Sequence, residues 1–135
     1  MATNIDIVRT GYDSFRRGDV QTTRAMFAED IEWQEPRWPA GRVFCLFRGR
    51  DQVVRRIFAP LPGVDDAAAL EAREFYGDRD TVIVTGVFRV TLDGGDRPSE
   101  VPFAHVWTVH DGLIDSLRAY NDVGVLATRN ARDAT

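Results

Sequence analysis

The hydrophobic period of this chain changes once, near Leu70, from about 3.6 residues to 2, and that single change constrains the fold more than any motif. Before it, Ile5, Val8, Tyr12 and Phe15 recur at helical spacing, which predicts a helix over residues 4–17, broken by "RRGD" at Gly18. Asp19 is placed to cap a second helix running to about Ala28, with Val20, Thr23 and Phe27 inward. A short strand follows at 31–35, then the loop "PRWPAGR", then "VFCLF", which reads either as a short strand or as an apolar lid. A third helix, from about Asp51 to Phe58, buries Val54, Ile57 and Phe58 and is stopped by "PLPG". Beyond Leu70, "ALEAREFYGD", "DTVIVTGVFRVTL", "SEVPFAHVWTVH" and "LIDSLRAYND" read as four strands joined by turns at "GDRD", "DGGDRP" and "HDG". The closing "DVGVLATR" predicts a terminal turn. Helices first and an antiparallel meander afterwards are α+β logic, with the helices on one face of a curved sheet.

At 135 residues the chain holds one domain with a single core, and no second domain is expected. A net charge of -4 argues against nucleic acid or an anionic membrane as partner. All 17 basic residues are arginine, so no lysine amine is present for Schiff-base chemistry. Proton transfer is left to carboxylates, tyrosines, Cys45 and two histidines. One cysteine forms no internal disulfide, and no run approaches the roughly 18 apolar residues of a membrane span, so a soluble, cytoplasmic protein is the expectation. His105 and His110 stand five apart on one predicted strand, on opposite faces and without a third ligand. No metal and no cofactor are therefore expected, and phosphate loops and nucleophile elbows are missing as well.

In "DIEWQEP" the alternation of a strand puts Glu35 in line with Ile31 and Trp33. Beside Trp33 and Trp38 its carboxylate would be partly desolvated and raised toward base strength; the plainer alternative is a strand-end glutamate paired with Arg37 or Arg42. Arg118, Tyr120 and Asp122 share one face of the last strand, where Asp122 is a second acid/base candidate or the N-cap of the turn after it. Arg118 is then an anion clamp or the counter-ion of Asp122. His105 lies in a row with Val101, Phe103, Trp107 and Val109, as a proton shuttle or as a satisfied residue at a subunit face. Tyr12, Phe15, Trp33, Trp38 and Phe58 are the aromatics suited to lining a pocket for a ring-containing ligand, with Trp107 and Tyr120 as further wall.

The ordered segments "VRTGYDSFRRGDVQTTRAMFAEDIEWQEP", "FRGRDQVVRRIFA" and "FAHVWTVHDGLIDSLRAYND" resemble the nuclear-transport-factor-like cone fold, and within it the SnoaL-like and ketosteroid-isomerase-like proteins. The resemblance spans roughly residues 4–127. It implies three N-terminal helices packed on a strongly curved, mainly antiparallel sheet, a cone-shaped pocket between them, and a homodimer through the sheet's outer face. It also implies a general base at the acidic residue before proline, here Glu35 before Pro36, while the isomerase's oxyanion tyrosine aligns with Gly11 and its neutral aspartate with Ala104. That alignment points the Ala104 row inward and His105 outward; the size of Trp107 argues the reverse. Asp122 matches a terminal-strand aspartate used by limonene epoxide hydrolase and by polyketide cyclases. The implied function is a cofactor-free acid/base isomerase, cyclase, dehydratase or epoxide hydrolase acting on a small hydrophobic metabolite through Glu35 and Asp122. The alternative is a non-catalytic ligand-binding or dimerisation domain.

Overall fold

The structure is a computed structural model, and it describes residues 2–36, 44–59, 70–91 and 98–122. Trp38, Arg37, Arg42 and the terminal turn after Asp122 lie outside the described residues.

Helix α1 (Asn4–Arg16) starts at a capping box in which Thr3 and Asp6 bond each other's backbone N–H, and turns off at Gly18, whose φ of 70° is the left-handed conformation glycine adopts cheaply. Asp19 caps α2 (Val20–Ala25) through the N–H of Thr22. The two helices are pinned by a buried hydroxyl pair, Ser14 to Thr23 at 2.7 Å. Helix α2 is shorter than the sequence predicts: Phe27 belongs to strand β1 (Phe27–Pro36), not to the helix. The helical spacing of Val20, Thr23 and Phe27 is real, but the alternation of the strand already begins at Phe27, and burial against the sheet decides.

The rest follows the expected order: β2 (Phe44–Arg48), α3 (Arg50–Ile57), β3 (Leu70–Asp78), β4 (Thr81–Val90), β5 (Ser99–His110) and β6 (Leu113–Asn121). "VFCLF" is thus a strand from Phe44, and not a lid. The six strands form one curved, unclosed sheet in the order β2-β1-β6-β5-β4-β3. Every neighbouring pair is antiparallel except β1 with β6, which run parallel. No described helix is long and apolar enough to cross a membrane.

Register fixes which side chains face the helices. Trp33 lies opposite Leu117, Leu117 opposite Trp107, and Trp107 opposite Val82, so one lateral row of the inner face is buried across four strands. The next row carries Ala119, His105, Val84 and Phe75. Val8, Tyr12, Val53 and Val54 close this face from the helix side. The opposite row of β5, with Ala104, Val106 and Thr108, is on the outer face. Two tight features shape the sheet. Asp111 and Gly112, at φ of 52° and 79°, make the hairpin turn after β5, which is the "HDG" signal of the sequence. At Gly86 a Cβ would sit 2.0 Å from the carbonyl oxygen of Glu71 and 2.9 Å from the Phe103 ring, so β3 can approach β4 only over a glycine. We expect Gly86→Ala to lower unfolding free energy by about 1–3 kcal/mol, read as a drop in urea midpoint at unchanged m-value; an unchanged midpoint would show that β3 is not held against Gly86.

Candidate active site

Alternation along β1 carries Ile31, Trp33 and Glu35 to the inner face, opposite Phe47 and Cys45 of β2 at the last two positions. Glu35 is largely enclosed, with 18% of its side chain exposed. Arg56 of α3 reaches it from above: its Nε lies 2.6 Å from Oε1 of Glu35, and its guanidinium carbon lies 5.7 Å from the centre of the Phe47 ring. The charges are close but the N–H is not aimed at the oxygen, for Oε1 has no hydrogen-bond donor in the described residues. Burial pushes the Glu35 carboxyl above its ordinary value, while Arg56 and the Trp33 indole pull it back. The upward push wins. A partly desolvated carboxylate with a raised pKa is the state a general base needs, and because Oε1 is sealed beside Arg56 only the other oxygen could meet a substrate.

A second polar group sits on the same face. Tyr12, projected inward by α1, accepts a 3.0 Å bond from Nε1 of Trp107 and lies 2.5 Å from Nδ1 of His105. The His105 ring stacks on Phe103 at 4.1 Å between centroids and runs nearly parallel to Tyr12 at 5.9 Å. Enclosure among these rings pushes His105 down to about 3 and Tyr12 far up, so both stay neutral through the ordinary pH range. Continuing the β1–β6 register one residue beyond Trp33–Leu117 and Gln34–Arg118 sets Glu35 beside Ala119, which pairs with His105. Glu35, Ala119 and His105 thus stand in line across three strands, with the outer two backbones about 10 Å apart, or two strand spacings. Only a methyl group separates them within that row.

The structure brings Glu35, His105, Tyr12, Trp33 and Trp107 to one side of the sheet, and Phe15 meets Phe58 there at 5.4 Å between α1 and α3. It does not bring Asp122 to them. Leu117 and Ala119 are buried on the inner face, so Arg118 and Tyr120 fall on the outer face, both exposed, and Tyr120 packs on Phe44 at 5.7 Å. Asp122 is likewise exposed and holds the strand end through its N–H to the carbonyl of Pro102. By parity the inward residue is Asn121, opposite Phe103, whose Oδ1 is sealed without a donor among the described residues. This placement removes the mechanism that joined Glu35 and Asp122. Neither Gly11 nor Ala104 carries a side chain that can donate a hydrogen bond; their chain neighbours Tyr12 and His105 are the polar pair that meets on the inner face.

Two members of the site escaped the sequence reading. Arg56 had a signal, since it follows Val53 by three and so shares the buried side of α3, but "VVRRIF" offers two arginines and the pattern does not choose. Asn121 had none beyond strand parity. Among the described residues no group of three His, Cys, Asp or Glu is placed to hold a metal. The other histidine differs sharply from His105. His110 is exposed at the β5–β6 turn, bonded through Nδ1 to Asp115 and 3.0 Å through Nε2 from Asp80, and these carboxylates raise it above 6.5.

A family model described as a SnoaL-like domain matches residues 8–117. Among solved structures, an NTF2-like protein from Burkholderia thailandensis is 27% identical, with TM-score 0.75 and coverage of 95% of this chain and 97% of that one. A Kribbella flavida protein, assigned provisionally as a ketosteroid isomerase, shares the fold at 18% identity and TM-score 0.69, over 87% of this chain and 76% of its own. TerC, co-crystallised with polyporic acid, is similar at 22% identity and TM-score 0.69, over 93% and 95%. No curated protein matches the chain.

The two histidines should titrate on opposite sides of 6.5. Native His110 holds its proton beyond the unfolded value, so its contribution to stability is complete below pH 6.5 and fades as pH rises through the raised value. His105 stays unprotonated where the unfolded chain charges, so its contribution is complete above pH 6.5 and is lost as pH falls toward about 3. Ring-proton NMR titration checks this: a His105 midpoint near 6.5 would mean that the ring is not enclosed.

Proposed function

This chain belongs to the SnoaL-like domain family, and from that premise we propose that it is a cofactor-free enzyme that removes a proton next to a carbonyl in a small hydrophobic, ring-containing metabolite. Glu35 is the base, and His105 supplies the hydrogen bond that stabilises the enolate oxygen. The observation that carries this reading is the shared inner row: a carboxyl raised by burial and a neutral imidazole face the same side, separated by Ala119. A ketone seated between them presents its carbonyl oxygen to His105 and the adjacent C–H to Glu35, the two side chains converging on neighbouring atoms. Removing the proton generates negative charge on the carbonyl oxygen, and an aligned donor in a low-dielectric site stabilises it more than water does. TerC's co-crystallisation with polyporic acid supports a small organic ligand for this fold. Isomerisation, cyclisation and dehydration of such a ketone can all begin with this step.

Deuterium exchange into 2-tetralone, followed by NMR in deuterated water, tests the base. The native protein should accelerate exchange, and Glu35→Gln should reduce the acceleration by about 10²- to 10⁴-fold; exchange that survives the substitution would remove Glu35 from the role.

We further propose a homodimer through the outer face of the sheet, as in the resemblance. Ile83, Tyr76, Tyr120, Leu46 and Phe44 are large apolar side chains left exposed on that face, and exposed apolar surface favours a protein–protein contact. Ile83→Arg should convert a dimer sedimenting at twice the chain mass into a folded monomer. A native protein that sediments as a monomer would contradict the pairing.

A further inference from the structure

The geometry points to Trp107 and Tyr12 as positioning residues that hold His105 in a single tautomer, with the proton on Nε2, so that the site presents a neutral donor and selects ligands that carry an acceptor oxygen. This rests on the reading of His105 as the carbonyl's partner and adds how that role is enforced.

Three polar groups must share their protons. Tyr12 is buried, and its hydroxyl meets only two polar atoms among the described residues, Nε1 of Trp107 and Nδ1 of His105. The indole N–H can only donate, so the phenolic oxygen accepts from it at 3.0 Å. The phenolic proton then has one acceptor within reach, Nδ1 of His105 at 2.5 Å. If Nδ1 carried the imidazole proton instead, the oxygen would receive two donors and its own hydrogen would be stranded in the core, which costs more than a hydrogen bond returns. All three groups are satisfied only when the protons run one way, from Trp107 to Tyr12 to His105. The single proton of neutral imidazole is thereby left on Nε2. Among the described residues Nε2 has no partner, yet it is not one of the polar atoms sealed without one, unlike Nε1 of Trp33. It is the unused end of the chain.

A consequence for ligand choice follows. An amine cation finds no acceptor at Nε2, whereas a ketone or quinone oxygen does. The relay also explains why this site works without a tyrosine facing the ligand: the tyrosine proton is spent on orienting the histidine.

Long-range proton–nitrogen correlation on protein labelled with ¹⁵N-histidine reads the tautomer without any substrate. The ligand-free native protein should show His105 with Nε2 protonated, and Tyr12→Phe should turn this into a mixture of the two tautomers. Trp107→Phe, should Tyr12→Phe not fold, should weaken the preference in the same direction. A native Nδ1–H tautomer, or a tautomer indifferent to the variant that folds, overturns the relay whatever Glu35 does. Trp fluorescence with 2-tetralone and with tetralin, which has the same rings and no oxygen, reads selection. Native protein should prefer the ketone by roughly tenfold, the size of one hydrogen bond, and Tyr12→Phe should narrow that ratio. Equal affinity for the two probes, or no binding of the ketone, overturns the acceptor-oxygen selectivity. A native protein that does not accelerate deuterium exchange would count against Glu35 and leave the relay standing.

Discussion

The hydroxyl of Tyr12 is buried where water cannot satisfy it, and the manner in which it is satisfied ties α1 to the middle of the sheet. Its two partners lie two residues apart on β5, which requires Trp107 and His105 to share a face and requires that face to be the inner one. A shift of β5 by one residue would turn Ala104 and Val106 inward and leave the phenol, the indole and the imidazole without partners. Apolar packing favours the same register, since Val82 and Val84 lie opposite these two residues and are fully buried. Polar satisfaction and hydrophobic burial therefore select one arrangement, and consistency of that kind is what makes a register unique.

Glu35 depends on that arrangement indirectly. Its strand is held parallel to β6, and β6 is held to β5, so the row that contains His105 also fixes the lateral position of Glu35. What tunes it is a contest between enclosure and Arg56. Removal from water raises the carboxyl, and a guanidinium within 2.6 Å lowers it, but the contact is poorly aligned and does not win. Better alignment would give a structural salt bridge. The observed one leaves the carboxyl raised, with Oε1 sealed beside Arg56.

Much of this was legible in the sequence, and the misses have physical causes. The change of period near Leu70, the Asp19 cap and the "HDG" turn marked the elements because each reports local backbone preference. Alternation from Ile31 and Trp33 places Glu35 on the inner face, and the strand runs straight enough to keep that parity. Arg118, Tyr120 and Asp122 alternate together and nothing within the strand says which face is inward; burial of Leu117 and Ala119 puts Arg118 and Tyr120 outside. His105 stayed open for the same reason: its own strand is apolar on both faces, and only the partners across β4 and β6 distinguish them. The β1–β6 pairing joins segments about 85 residues apart in the chain, and no local pattern encodes such a contact.

Under the proposed function Glu35 and His105 act on one carbonyl group, the first on the carbon beside it and the second on its oxygen. A crystal structure of the protein with 2-tetralone bound tests it most directly. The account predicts the ketone oxygen within hydrogen-bond distance of Nε2 of His105 and the carbon beside the carbonyl against the Glu35 carboxylate. A ketone oxygen seated on Arg56 instead, or a ligand held on the outer face beside Tyr120 and Asp122, would contradict it.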